Sequence, residues 1–150
     1  MDYRGMMVGD WLLDKEGGLA RRVAQVTSDV FGGCAPGVIL ENGMDYQECE
    51  PIPLTAEVLE KNGFKKKAGD KYFPYPKYVW LGSEESGCIV SIAVYDKPVN
   101  GVNVLTQIHT NCKEHGGVNK VHNCDIGYVH ELQHALRLCG LNELADNFII

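Results

Sequence analysis

His130-Glu131-Leu132-Gln133-His134 is the stretch of this chain whose residue types and spacing could do chemistry. On a helix, residues i and i+4 share a face, so two imidazoles can bind one Zn²⁺. The glutamate one step round can take a proton from a metal-bound water, as in a zinc peptidase. In that reading His130 and His134 are ligands and Glu131 is the general base. The flanks agree with it, since Tyr128, Leu132, Gln133 and Ala135 are uncharged and Leu136 is apolar.

Three features oppose the peptidase reading. A catalytic zinc needs three protein ligands plus water, and Arg137 and Gly140 stand where the extended motif has glycine and histidine. Glu143 follows His134 too closely to come from an opposing helix, because Gly140 ends the first one. His109, Cys112, His115 and His122 remain as upstream donors. On a helical wheel, Val129, Leu132, Leu136 and Cys139 form an apolar stripe that Ala135 extends, with His130, His134 and Arg137 nearly opposite. Finally, the Arg137 guanidinium raises the cost of holding a dication beside it. The plainer expectation is an amphipathic helix with solvated histidines.

A second metal reading uses Cys112-x-x-His115 and His122-x-Cys124, four donors able to close a tetrahedral structural zinc site in a polar loop. The spacing of the second half is not standard, and a reduced, exposed loop is the alternative. Nucleophilic catalysis has less support. No Gly-x-Ser-x-Gly elbow occurs, and Ser83 to Gly87 reads as a loop between strands. Cys112 with His115 or His122 is a conceivable Cys–His pair. Gly32-Gly33 leads into Cys-Ala-Pro rather than a helix, so it makes no phosphate loop.

The elements that must position these residues read as α+β. Short strands at Val8–Leu13, Arg22–Thr27 and Val38–Leu40, with turn residues between them, suggest a small SH3-like β-barrel over residues 1–53. Glu50-Pro51-Ile52-Pro53 is a stiff connector. A linking helix follows at 56–62, capped by Thr55 and stopped by Gly63, with Phe64 packing back. Residues 54–150 then form a second part. It has an antiparallel sheet from Tyr72–Leu81, Cys88–Tyr95 and Val102–Ile108, with Pro74 and Pro76 arguing for an edge position. The aromatics Tyr72, Phe73, Tyr75 and Tyr78 read as core rather than binding surface. A polar loop spans 109–123, and a C-terminal helix runs from 126 to 138 with Asp125 as N-cap.

Composition bounds the rest. The chain has 150 residues, 45% of them hydrophobic, enough for one domain or two small parts sharing a core. It contains no run of about 18 apolar residues that would suggest a membrane helix. Met1–Asp10 lacks the basic-then-apolar order of a secretory signal, so the expected location is the cytoplasm. The six cysteines are then mostly reduced thiols. A formal charge of −6 disfavours nucleic acid as a partner, because that affinity comes largely from cations on phosphates. Lys65-Lys66-Lys67 and Arg21-Arg22 read as short solvated loops or turns.

Val8-Gly9-Asp10-Trp11, Pro51–Thr55 with Leu59–Phe64, and Tyr128–Gly140 together resemble a family of small uncharacterised proteins encoded by prophages and mobile elements of gut Bacteroidales. The resemblance covers most of the chain and implies no activity. Similar proteins vary at the positions matching His130 to His134, which implies that zinc hydrolysis is not a shared property. The expected role is therefore a non-enzymatic phage or mobile-element accessory protein with an unknown protein partner and no cofactor. The zinc peptidase and the structural zinc module are the alternatives.

Overall fold

The computed structural model describes residues 5–15, 17–27, 37–41, 49–69, 71, 74–82, 89–99, 102–112 and 118–150; of these, 94–99, 102–105, 108–112 and 118–125 are described by backbone only. The described residues form a mixed α+β structure with two antiparallel sheets and three helices.

The first sheet contains β1 (Trp11–Asp14), β2 (Leu19–Thr27), β3 (Gly37–Leu40) and β4 (Cys49–Pro51), in the order β3-β2-β1-β4. Strand alternation gives β1 two buried faces. Leu12 joins Val23, Val38, Leu40 and Cys49 in a small core. Trp11 and Leu13 point the other way, against the main core. β2 pairs with β1 through its first half and with β3 through its second, shifting register between Val23 and Gln25. Such a bulge bends and twists a strand, and the sheet curls into a half-barrel.

α1 (Ala56–Lys61) follows the connector, and its local signals act as the sequence predicts. The Thr55 hydroxyl accepts from the Val58 amide at 3.4 Å. Gly63 takes a φ of +81°, a left-handed conformation that a side chain would oppose. The Phe64 amide then bonds the Leu59 carbonyl at 3.1 Å, and the Phe64 ring is buried.

β5 (Lys65–Lys67), β6 (Lys77–Leu81), β7 (Ile89–Val99), β8 (Val102–Cys112) and β9 (Val118–Asp125) form the second sheet in chain order. Three expectations are corrected here. Lys65–Lys67 is a strand at the sheet edge, not a loop. β6 is internal, lying between β5 and β7, because it begins only after Pro74 and Pro76 and has no proline to break its ladder. The expected polar loop over 109–123 is largely strand, with β8 and β9 paired from Leu105 opposite Asp125 to Cys112 opposite Val118. Polar side chains on a strand leave no apolar alternation to announce that pairing. Of the four aromatics expected in the core, Tyr78 is buried and Tyr75 is exposed; Tyr72 and Phe73 lie outside the described residues.

α2 (Val129–Leu138) starts after Tyr128, since Asp125 belongs to β9 and does not cap it. The connector is bonded against this start. The Leu54 amide reaches the Gly127 carbonyl and the Val129 amide reaches the Ile52 carbonyl, both at 2.9 Å. Gly140, at φ +77°, ends the helix as expected, and a short α3 (Asn142–Asp146) follows where no helix was anticipated. The predicted apolar stripe is correct. Val129, Leu132 and Leu136 are fully buried with Tyr78, Val90 and Ile92 of the second sheet.

This orientation can be checked within one helix. Leu132 is 0% exposed and Leu138 is 85% exposed. Leu132→Ala should cost about 2–5 kcal/mol, and Leu138→Ala should stay within about 0.5 kcal/mol, both measured by urea unfolding.

Candidate functional site

The polar stripe of α2 does not face water. It faces the first sheet, and the side chain that receives it is Asp10, which is fully buried. A tight turn holds Asp10 in place. Gly9 adopts φ +88°, its amide donates to the Val23 carbonyl at 2.8 Å, and the Val23 amide returns to the Asp10 carbonyl at 2.8 Å. The carboxylate accepts the Met7 amide at 2.8 Å. It also accepts His134 Nε2 at 2.6 Å and Arg137 Nη1 at 2.8 Å. An ionised carboxylate only accepts, so Nε2 of His134 carries the proton in this contact.

Burial alone would raise the Asp10 carboxyl. Hydrogen bonds from His134, the Met7 amide and Arg137 outweigh burial and hold it below the ordinary carboxylate value. Arg137 reaches further, with Nε and Nη2 on Asp146 Oδ1 at 3.2 and 3.1 Å.

Gln133 is also fully buried. Its Oε1 accepts the Trp11 amide at 3.0 Å, while Nε2 donates to the carbonyls of Gly9 at 3.1 Å and Ala145 at 3.0 Å. The C-terminus is tied in alongside. Trp11 Nε1 donates to the Phe148 carbonyl at 2.6 Å. Arg22 donates to the Asp146 and Phe148 carbonyls at 2.8 and 3.0 Å, and its guanidinium lies 4.9 Å from the Trp11 ring centroid.

Glu131 turns back on its own helix. Its Oε2 accepts the amides of Gly127 at 2.8 Å and Tyr128 at 3.1 Å, a capping role that suits an anion at a helix N-terminus. His130 is 8% exposed, so the solvated-histidine expectation is corrected. The wheel correctly set this face away from the apolar stripe, but a second wall covers it. The His130 ring stacks on Tyr128 at 5.9 Å between centroids and meets the His134 ring edge-on at 5.9 Å. Its Nδ1 is buried without a hydrogen-bond partner among the described residues. Burial pushes this imidazole below its ordinary value; Glu131 and Asp10 oppose that shift and His134 adds to it.

The two sequence-derived metal sets fare differently. His130 and His134 are adjacent, but the Nε2 of His134 is directed at Asp10 and Glu131 is directed at backbone amides. Among the described residues, no group of three or more His, Cys, Asp or Glu side chains is placed to hold a metal ion. In the loop set, Cys112 stands opposite Val118 and Cys124 opposite Thr106. The two cysteines therefore sit six steps apart on one ladder (positions 106 to 112), about 20 Å at the rise of a strand. A tetrahedral zinc gathers its donors within about 4 Å of one another. His122 lies on β9 opposite Ile108, and His115 lies outside the described residues, as do Gly32, Gly33 and Ser83 to Gly87. Comparison with protein-family models, with curated proteins and with solved structures returned no match.

Sequence reasoning passed over Asp10, Gln133 and Arg22 as site residues. Asp10 follows a turn pair and reads as part of the turn, and its partners are more than 120 residues away in the chain.

Acid should loosen this cluster in two stages. A buried imidazole whose folded value lies below its unfolded 6.5 makes stability fall as pH drops through about 6.5. Asp10, depressed from 3.8, contributes above about 4 and is lost as pH falls further. Urea unfolding from pH 8 to 3 should show both limbs. His130→Phe should flatten the upper one, and Asp10→Asn the lower.

Proposed function

We propose that this chain is a non-enzymatic accessory protein that acts through contacts with a protein partner. By the resemblance of its Pro51–Phe64 and Tyr128–Gly140 segments, it belongs with proteins carried by prophages and mobile elements of gut Bacteroidales. The observation that supports the reading is the commitment of the HExxH side chains to internal bonds. Glu131 caps its helix, Gln133 clasps three backbone groups, and His134 donates to Asp10. A general base must reach a metal-bound water, and here the carboxylate is bound to two amides. The strand order of the first sheet and its bulged β2 support an SH3-like reading of the half-barrel, although a fold alone assigns no partner.

Elemental analysis of chelator-free protein, paired with a peptide-hydrolysis assay, tests this. The expected result is no stoichiometric zinc and no hydrolysis, with Glu131→Ala lowering stability by about 0.5–2 kcal/mol through loss of the cap. Stoichiometric zinc lost in His134→Ala, with hydrolysis lost in Glu131→Gln, would replace this reading with the peptidase. Zinc lost only in Cys124→Ser would replace it with the structural zinc module.

A further inference from the structure

Charge is unevenly distributed along this acidic chain. Residues 61–77 hold six lysines and one aspartate, a net +5, so the rest of the chain carries −11 of the overall −6. Lys65, Lys66 and Lys67 form β5, the edge of the five-stranded sheet. All three are exposed, and none makes an ion pair among the described residues. Among the described residues β5 is bonded to β6 alone, so its outer side is a sheet edge with backbone donors and acceptors open to a further strand.

The register sharpens the point. Tyr78 packs into the core with Val90 and Ile92, so Lys65 and Lys67 share the opposite face with Lys77, Val79 and Leu81. Lys67 stands directly opposite Lys77. Like charges so placed destabilise a sheet, in a chain with 20 carboxylates to choose from. Lysines on a short edge also keep two copies from pairing edge to edge. The same charges admit one kind of strand, an acidic one.

We infer that β5 takes up an acidic, extended segment of a partner protein by strand addition. Backbone bonds supply the pairing and Lys65–Lys67 supply the selectivity, with Leu81, 59% exposed, as an apolar contact beyond the strand end. The inference rests on the protein-contact reading above and gives that partner a chemistry. A peptide of a few residues fits the field of β5, because three strand residues span about 10 Å and screening in physiological salt acts over about 8 Å. A nucleic acid, as a long polyanion, is disfavoured by the net charge of −6.

The test is fluorescence anisotropy at about 0.15 M salt with a short labelled peptide of alternating glutamate and valine. Three comparison probes are used: one with proline replacing valine, one with lysine replacing glutamate, and an oligothymidylate. The glutamate–valine peptide should bind at least about tenfold more tightly than each of the others. Binding should be lost in K65E/K66E/K67E and weakened in K65Q/K66Q/K67Q, with the melting temperature lowered in neither, since both changes remove the repulsion between positions 67 and 77. The inference is overturned by no binding, by equal binding of the proline peptide, by preferred binding of the oligothymidylate, or by a triple variant that still binds. A failed peptide with no zinc and no hydrolysis removes this inference alone. Zinc-dependent hydrolysis removes the protein-contact reading itself.

Discussion

A carboxylate taken fully out of water persists as an anion only where cations and donors surround it. Asp10 meets that condition with one local donor and two distant ones: the Met7 amide from its own turn, and His134 and Arg137 from α2. Because Arg137 also holds Asp146, one buried charge ties the N-terminal turn, the long helix and the helix after it into a single arrangement. A buried ion pair adds little net stability over an apolar substitute, but removing one partner leaves the other charge stranded. Its value lies in specifying one geometry, and the neighbouring Gln133 clasp on Gly9, Trp11 and Ala145 reinforces the same one.

α2 is consequently a helix with two different buried faces. Its apolar stripe fills the core against the second sheet, and its polar stripe fits the turn and first strand of the curled sheet. The HExxH spacing arises within that arrangement. Positions 133, 134 and 137 face the first sheet and need groups that can bond buried backbone and Asp10. Position 131, in the first turn, needs an acceptor for amides that the helix leaves unpaired. Histidine, glutamine, arginine and glutamate satisfy those needs by shape and hydrogen bonding, with no metal in the argument.

The second sheet carries a different kind of information. Its inner face is explained by burial, whereas its lysine edge is not explained by anything inside the molecule. Packing and internal hydrogen bonds account for most of α2 and leave Lys65–Lys67 over. That contrast directs attention from the motif that resembles chemistry to the strand that resembles none.

Much of the local structure was legible in sequence. Thr55 and Gly63 bound α1, Gly140 ends α2, and the 3.6-residue spacing of Val129, Leu132 and Leu136 marks the core face, because caps and periodicity act within a few residues of themselves. The β8–β9 hairpin and the edge position of β5 were not legible, since polar strands carry no alternating apolar signal. What only the tertiary structure decided is the environment of the polar face of α2. His130 is buried, and the half-buried His134 bonds a turn more than 120 residues upstream; no local pattern encodes which distant surface will cover a helix. The chain determined by itself which residues could form the clamp, and the fold decided that they close on Asp10.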